Sequence, residues 1–411
     1  MPQKNLTSFQ TYNFPTATDE TQKFSPFELE LDSSILKLLK ECRMPGGTIE
    51  LGYSRNPSFL SSLEFEGSNH QISFFPPREP KQEKKSPDLR ALGVRSIRQV
   101  YLRGKIHPIS YLHHLRIHPF ARKGLLLSRG YVEIRKVSQD FPTACTLTSI
   151  LADNKLARET LENPAPRACL PSYIPVCDFF TALIPLKGLG RKWPLRFRQR
   201  ESFFSPFSEK VSTRFLEDSD HGALVSLFED FGKVYDGAPV IRTNSNFSSL
   251  PQYPLKGIKI TEFLGAFINE KLVGAIGLWN QTPWKQIIVE KFHPLINRFV
   301  ITWNVLRRFF GLPPIFSEGK EIPHVLLDPW AVGFNNEQLV IRVLLGKALE
   351  HLRSSDFLFA AWGTPQNHPA RPSINQFFHL PYFSKIFQVA WPETPIFPFD
   401  KEKFYLSLGT L

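Results

Sequence analysis

The sequence predicts a mixed α/β protein whose two halves share one plan. Three observations carry this. A strand, a loop, a helix and a second strand follow in that order within 94–161, and again within 324–363. Apolar residues make up 42% of the 411, enough for a large core and too many for a disordered chain. Proline, at 35 of 411, interrupts the chain too often for a helical repeat or a long coiled coil. At roughly 100–200 residues per domain, the length favours two domains.

The first half begins with a polar segment rich in Thr, Gln and Pro, read as a loose arm over 1–25. Residues 26–44 suit a short helix. The alternating runs 48–53 and 71–75 read as strands, and 75–90 as a charged loop. Two β runs flank the Arg103-Gly104 turn within 94–117. Residues 125–138 suit a helix, with Leu127, Tyr131 and Ile134 on one face. A strand of small and β-branched residues follows at 144–151, then a short helix at 152–161.

The second half opens with a strand at 211–215. Asp218 or Ser219 is its expected helix cap, and Leu224, Leu227, Phe228 and Phe231 form the apolar face. Residues 263–279 read as a hairpin about Asn269-Glu270-Lys271. Residues 284–316 fit a core or lid element between the halves. A strand at 324–332, a helix with Ile341, Leu344, Leu345, Ala348 and Leu352 in one stripe, and a strand at 357–363 complete the plan. The expected division is the arm (1–25), a first domain (26–187), a basic linker (188–208) and a second domain (209–411).

Charge is uneven. The chain carries a net +12, and counting along it places the whole excess in residues 1–200. Lys187, Arg191, Lys192, Arg196, Arg198 and Arg200 follow one another with no acid between them. An anionic partner is expected: a phosphorylated cofactor, a nucleic acid or an anionic surface. Cys42, Cys145, Cys169 and Cys177 lack metal or disulfide spacing. His107, His113, His114 and His118 cluster, but no acid is near them in sequence, so no metal is expected. Alternation along a strand points His113 and His114 to opposite faces. No uncharged apolar run approaches about 18 residues, so no transmembrane segment is expected. The polar start carries no secretory signal; the expected location is cytoplasmic.

The segment SYLHHLRIHPFARKGLLLSRGYVEIRK, with TSILADNKLARETL after it, resembles the signature region of Gcn5-related N-acetyltransferases (GNAT). LLDPWAVGFNNEQLVIRVLLGKALEHL and FLFAAWG resemble a degenerate second copy. The resemblance implies tandem acyl-CoA N-acyltransferase-like domains, each a mostly antiparallel mixed sheet flanked by helices. It also implies acetyl-CoA or another acyl-CoA as co-substrate, and a small-molecule or protein amine as acceptor. Carried over, Leu115, Arg116 and Ile117 would face the pantetheine arm. Arg122, Lys123, Gly124 and Leu125 would surround the pyrophosphate, where the first turn of a helix offers free N–H groups. Asn154 would sit near the thioester sulfur.

The loop here lacks the family's spaced glycines, which favours a competing expectation: a non-catalytic protein on the same scaffold, holding RNA through 187–200. For catalysis an amine must lose a proton, an oxyanion needs a donor, and the leaving thiolate needs a proton. His114 or His113 as base, with Ser149 and Tyr173 nearby, are the candidates.

Overall fold

The computed structural model describes residues 8–15, 24–42, 49–76, 88–122, 124–163, 169–187, 211–241, 257–292, 302, 318–333 and 337–411. In chain order, the first half holds β1 (Gln10–Pro15), α1 (Pro26–Glu41), β2 (Ile49–Ser54), α2 (Phe59–Ser62), β3 (Asn69–Phe75), β4 (Ala91–Leu102), β5 (Lys105–Ile117), α3 (Leu126–Asp140), β6 (Thr146–Leu151), α4 (Lys155–Glu162) and β7 (Ser172–Pro185). The second half holds β8 (Ser212–Phe215), α5 (His221–Val234), β9 (Phe263–Ile268), β10 (Lys271–Trp279), β11 (Gln286–Phe292), β12 (His324–Val332), α6 (Glu337–Leu352), β13 (Phe359–Pro365) and β14 (Leu380–Ala390).

Local chemistry sets these elements. Ser25 and Glu28 form a reciprocal cap at the start of α1, with Pro26 behind it. The turns Arg103-Gly104 and Asn269-Glu270 both have positive φ at each central residue, the geometry that suits two-residue hairpins. Helix α6 buries Val340, Ile341, Leu344, Leu345 and Ala348 on one face. Helix α5 starts at His221, after a tight turn over Asp218–Asp220 bracketed by Glu217 and Asp220; its cap lies later than Asp218 or Ser219.

Twelve strands form one sheet in the order β1-β3-β4-β5-β6-β14-β7-β13-β12-β10-β9-β8. Among the described residues, two neighbouring pairs are parallel, β5 with β6 and β12 with β13, and the rest antiparallel. Helices α3 and α6 are the respective crossovers, as parallel neighbours require. The final strand β14 lies between β6 and β7, and β7 in turn pairs with β13. The halves are therefore joined through continuous backbone hydrogen bonding rather than by packing of two finished sheets. Gln10–Pro15, read from sequence as loose arm, is the edge strand β1, paired to β3 through six residues with Phe14 buried. A separate two-stranded sheet joins β2 to β11, again one strand from each half. The linker 188–208 and most of 284–316 beyond β11 lie outside the described residues.

Asp328 of β12 is fully buried and ties down residues 405–409. It accepts from the Tyr405 hydroxyl at 3.2 Å, the Gly409 N–H at 2.9 Å and the Ser407 hydroxyl. Replacing a carboxylate oxygen by an amide N–H would set donor against donor. Asp328→Asn is expected to lower unfolding free energy by about 2–4 kcal/mol, read from urea melts. Unchanged stability would mean that the tail is not held here.

Candidate active site

Strands β5 and β6 pair over three residues only, Ser110–Leu112 with Thr146–Thr148. Beyond that, β5 stays with β4 while β6 turns to β14. The splay opens into a cavity of about 890 Å³. Leu112 to Arg116 form one wall and Thr148 to Leu151 the other. Tyr53, Gln286 and Ile287 of the β2–β11 sheet, with Arg55 just after β2, cover it. Thr181 and Leu183 of β7 close it, with Leu326, Ala361, Leu408, Gly409 and Leu411 from the second half. Most of the lining is apolar. Arg55, Arg116, Lys187 and Lys285 are its charged side chains, and no Asp or Glu side chain lines it among the described residues.

Three predicted catalytic residues, His114, Ser149 and Tyr173, all line this cavity, as do Leu115, Arg116 and Asn154. Ser149, Tyr173 and Asn154 already have partners. Ser149 accepts a 2.6 Å hydrogen bond from the Tyr111 hydroxyl. Tyr173 meets the Tyr131 hydroxyl, and burial pushes its own pKa up to about 12. Asn154 caps α4 by accepting from the Ala157 N–H. Ile117 instead packs beside Phe75, Ala91, Ala121 and Leu126. Arg122, Gly124 and Leu125 do not line the cavity; Lys123 lies outside the described residues. Arg122 is exposed and reaches back to the Ile117 carbonyl. Gly124 has φ +144° and open space where a Cβ would stand. Leu125 projects outward, 67% exposed, and no side chain caps α3. Leu126, by contrast, packs inward with Phe75, Ala91 and Ala121.

His113 and His114 depart from the expected alternation. β4 and β5 shift register between Leu92 and Val94, where His114 and Leu115 together oppose Gly93. His114 takes up the bulge at φ +51°, and both rings line the cavity 4.8 Å apart. The expected lack of a nearby acid is corrected too. The turn after α2 brings Glu66 to them, and ligand atoms of Glu66, His113 and His114 lie within 4.8 Å of one another. Sequence separation of some 47 residues hid this; α2 and the hairpin β4–β5 close it.

Glu66 is 1% exposed. Its Oε1 accepts from Lys285 at 2.7 Å and from Arg55 at 3.1 Å. Burial pushes its carboxyl up, but Lys285 and then Arg55 outweigh that and hold it at about 2. Burial lowers Lys285 to about 8, against the pull of Glu66. Burial likewise drives His113 down to about 3 and His70 to about 4, and His114 well below its ordinary value. These imidazoles are neutral at pH 7. Lys187, the one described member of the basic run, donates to the carbonyls of Arg353 and Ser355; residues 191–200 lie outside the described residues.

The second parallel pair splays in the same way, after three residues over His324–Leu326 and Phe359–Ala361. There the gap is filled. Trp330, Trp362 and Tyr405 are fully buried in it. The Trp330 N–H donates to the Tyr405 hydroxyl, and the Trp330 indole to the Gly363 carbonyl.

No protein-family model matches the sequence, and no curated protein matches it either. Solved structures do. A Saccharomyces cerevisiae N-myristoyltransferase with bound myristoyl-CoA superposes with a TM-score of 0.53 at 12% identity, over 95% of this chain and 80% of that one. A further structure of that protein gives 0.53 at 11% identity, over 95% and 84%. At such identity the likeness is one of fold. The chain shares the fold of that N-myristoyltransferase: mixed α/β, with a large and mostly antiparallel sheet flanked by helices. Among the described residues no helix is long and apolar enough to cross a membrane.

Buried neutral histidines make stability pH-dependent. In the unfolded chain they take up protons below about pH 6.5; in the fold His113, His70 and His368 resist until about 3–4. The unfolded state therefore binds more protons across that window, and stability falls as pH is lowered through it. The urea midpoint is expected to drop steadily from about pH 6.5 to about pH 4. A flat profile down to about pH 5 would contradict neutral, buried histidines.

Proposed function

We propose that the chain is an acyl-CoA-dependent N-acyltransferase, built as two tandem GNAT-like domains of which the second is degenerate. The observation that carries this is the open splay between β5 and β6, leading into a cavity whose charged side chains among the described residues are all basic. An acyl-CoA is an anion with an apolar tail and fits such a wall. The first half holds it. Its pantetheine arm runs along the free edge of β5 beside Leu115 and Arg116. Its diphosphate lies at the uncapped start of α3, by Arg122 and Gly124. The second half supplies walls to the acceptor side, since its own splay is occupied by Trp330, Trp362 and Tyr405.

Chemistry follows from placement. The acceptor amine attacks the thioester carbonyl, backbone N–H groups of β5 beyond Leu112 hold the oxyanion, and the C–S bond breaks. Tyr173, kept protonated by burial, is placed to give the departing thiolate a proton. The apolar lining favours an acyl group longer than acetyl. A structural neighbour was crystallised with myristoyl-CoA, which agrees with that preference.

Calorimetry with acyl-CoAs of increasing chain length tests this reading. Affinity is expected to rise by about fourfold per added methylene until the cavity is full, as about 0.8 kcal/mol per buried CH₂ requires. No binding of any acyl-CoA would end the proposal. Arg122→Glu is expected to weaken binding by about tenfold or more, through repulsion of the diphosphate. Unchanged affinity would place the diphosphate elsewhere.

A further inference from the structure

We propose that Arg116 is the seat of a carboxylate on the acyl acceptor, so that the second substrate is an amine that also bears an acid group, as amino acids do. This rests on the N-acyltransferase reading and names the class of its acceptor. Arg116 lines the cavity and is half-buried. Its Nη1 donates to the neighbouring Leu115 carbonyl at 3.0 Å. Among the described residues its Nε–Nη2 edge meets no acceptor, and no carboxylate pairs with it. The two parallel N–H groups of such an edge match the two oxygens of one carboxylate. Arg135 uses the same edge on Glu393, at 2.6 and 2.8 Å.

The other cations of the cavity are already engaged. Arg55 and Lys285 share Glu66 Oε1, and Lys285 also donates to the Gly409 carbonyl at 2.8 Å. Lys187 donates to the Arg353 and Ser355 carbonyls. The groups that act on Arg116 are Cys42, Tyr53 and Arg55. Burial raises the pKa of Cys42 and of Tyr53, so both are neutral at pH 7 and neither is a counterion. Arg55 repels it. Burial lowers the pKa of Arg116 in turn, yet a guanidinium stays charged at any ordinary pH. A partly desolvated cation beside a like charge, with no acid in reach, is unfavourable. A bound anion offsets that.

Strand β5 separates this anion from the diphosphate of the acyl-CoA. Leu115 packs with Tyr131 and Ile134 of α3, and Ile117 with Leu126. That is the face on which the diphosphate is placed. Arg116 stands between them, and alternation turns it to the opposite face, toward Cys42 at the end of α1 and Tyr53 of β2. His114 faces the same way, its ring 5.1 Å from that of Phe59 in α2. The splay opens the sheet between the two faces. An amine entering on the Arg116 face reaches the thioester through it, while its carboxylate stays on the guanidinium.

The test uses the full chain with ¹⁵N-labelled arginine, observed by NMR. The Arg116 Nε resonance is identified by its absence in Arg116→Lys. Glycine, 4-aminobutyrate and 6-aminohexanoate are titrated against their methyl esters, which keep the amine and lose the acid. At least one acid is expected to shift the resonance saturably, and its ester to bind at least about tenfold more weakly. Arg116→Lys keeps the charge without the fork and is expected to weaken binding of that acid, by calorimetry, by about tenfold; Arg116→Gln is expected to weaken it further. Saturating coenzyme A is expected to leave the acid bound. No shift with any acid, equal responses to acid and ester, or displacement of the acid by coenzyme A would each overturn the proposal, the last by giving Arg116 to a phosphate. Acyl-CoA calorimetry on the same sample separates the two readings. Acyl-CoA binding without a response to the acids sinks the carboxylate seat alone. A response to the acids without acyl-CoA binding sinks the transferase reading and leaves the seat.

Discussion

The structure depends on one choice made by β6. A strand has two edges, and β6 spends only three residues of one of them on β5 before its other edge is taken fully by β14. Ladder hydrogen bonds hold neighbouring strands about 4.8 Å apart, so a strand that turns toward one neighbour must leave the other. β14 makes the departure permanent, because it is pinned on its far side by eleven paired residues of β7. The cleft is thus a property of backbone pairing, not of loop conformation. It persists whatever side chains line it, and side chains then decide whether it is a site or a filled seam.

The same pairing binds the two halves into one unit. β7 belongs to the first half by sequence, yet its other edge pairs with β13 over seven residues. β2 and β11 repeat the exchange above the cavity. Separating the halves would leave the edges of β6, β7 and β13 unpaired, at a cost that a buried sheet cannot meet with water. A cavity walled by both halves is then a fixed geometry. Glu66, buried behind that wall, is held ionised by Lys285 and then Arg55.

Much of this was legible in the sequence, in uneven fashion. The hairpins announced themselves through Arg103-Gly104 and Asn269-Glu270, and α6 through its apolar stripe; these are local signals. The crossover order pointed to the mixed α/β fold, and His114, Ser149 and Tyr173 line the cavity. What sequence could not show was pairing. β7 and β14 carry prolines and no clean alternation (Pro175, Pro185 and Pro381 lie within them), and their exchange is a non-local event. The bulge that turns His114 beside His113 depends on Gly93 in the neighbouring strand, so alternation along β5 alone gave the wrong face. Glu66 reached the histidines only through folding of an intervening hairpin.

The two splays form an internal control on what makes a site. Both parallel pairs separate after three residues, so both expose the same kind of backbone edge. In the second, the freed Trp330 N–H is answered by the Tyr405 hydroxyl, and two tryptophans take the volume. Asp328 holds the tail that carries Tyr405 in place. Burying Trp330 and Trp362 stabilises the core by several kcal/mol by area, and water gains no entry. The first splay forgoes that stabilisation. It keeps an open cavity, and it leaves His113 Nδ1 and His114 Nε2, on residues of its wall, without partners. An empty apolar volume and unanswered buried polar atoms each destabilise a fold. Within a chain that closes the equivalent gap so thoroughly, the open one is best understood as a place for a ligand that completes it.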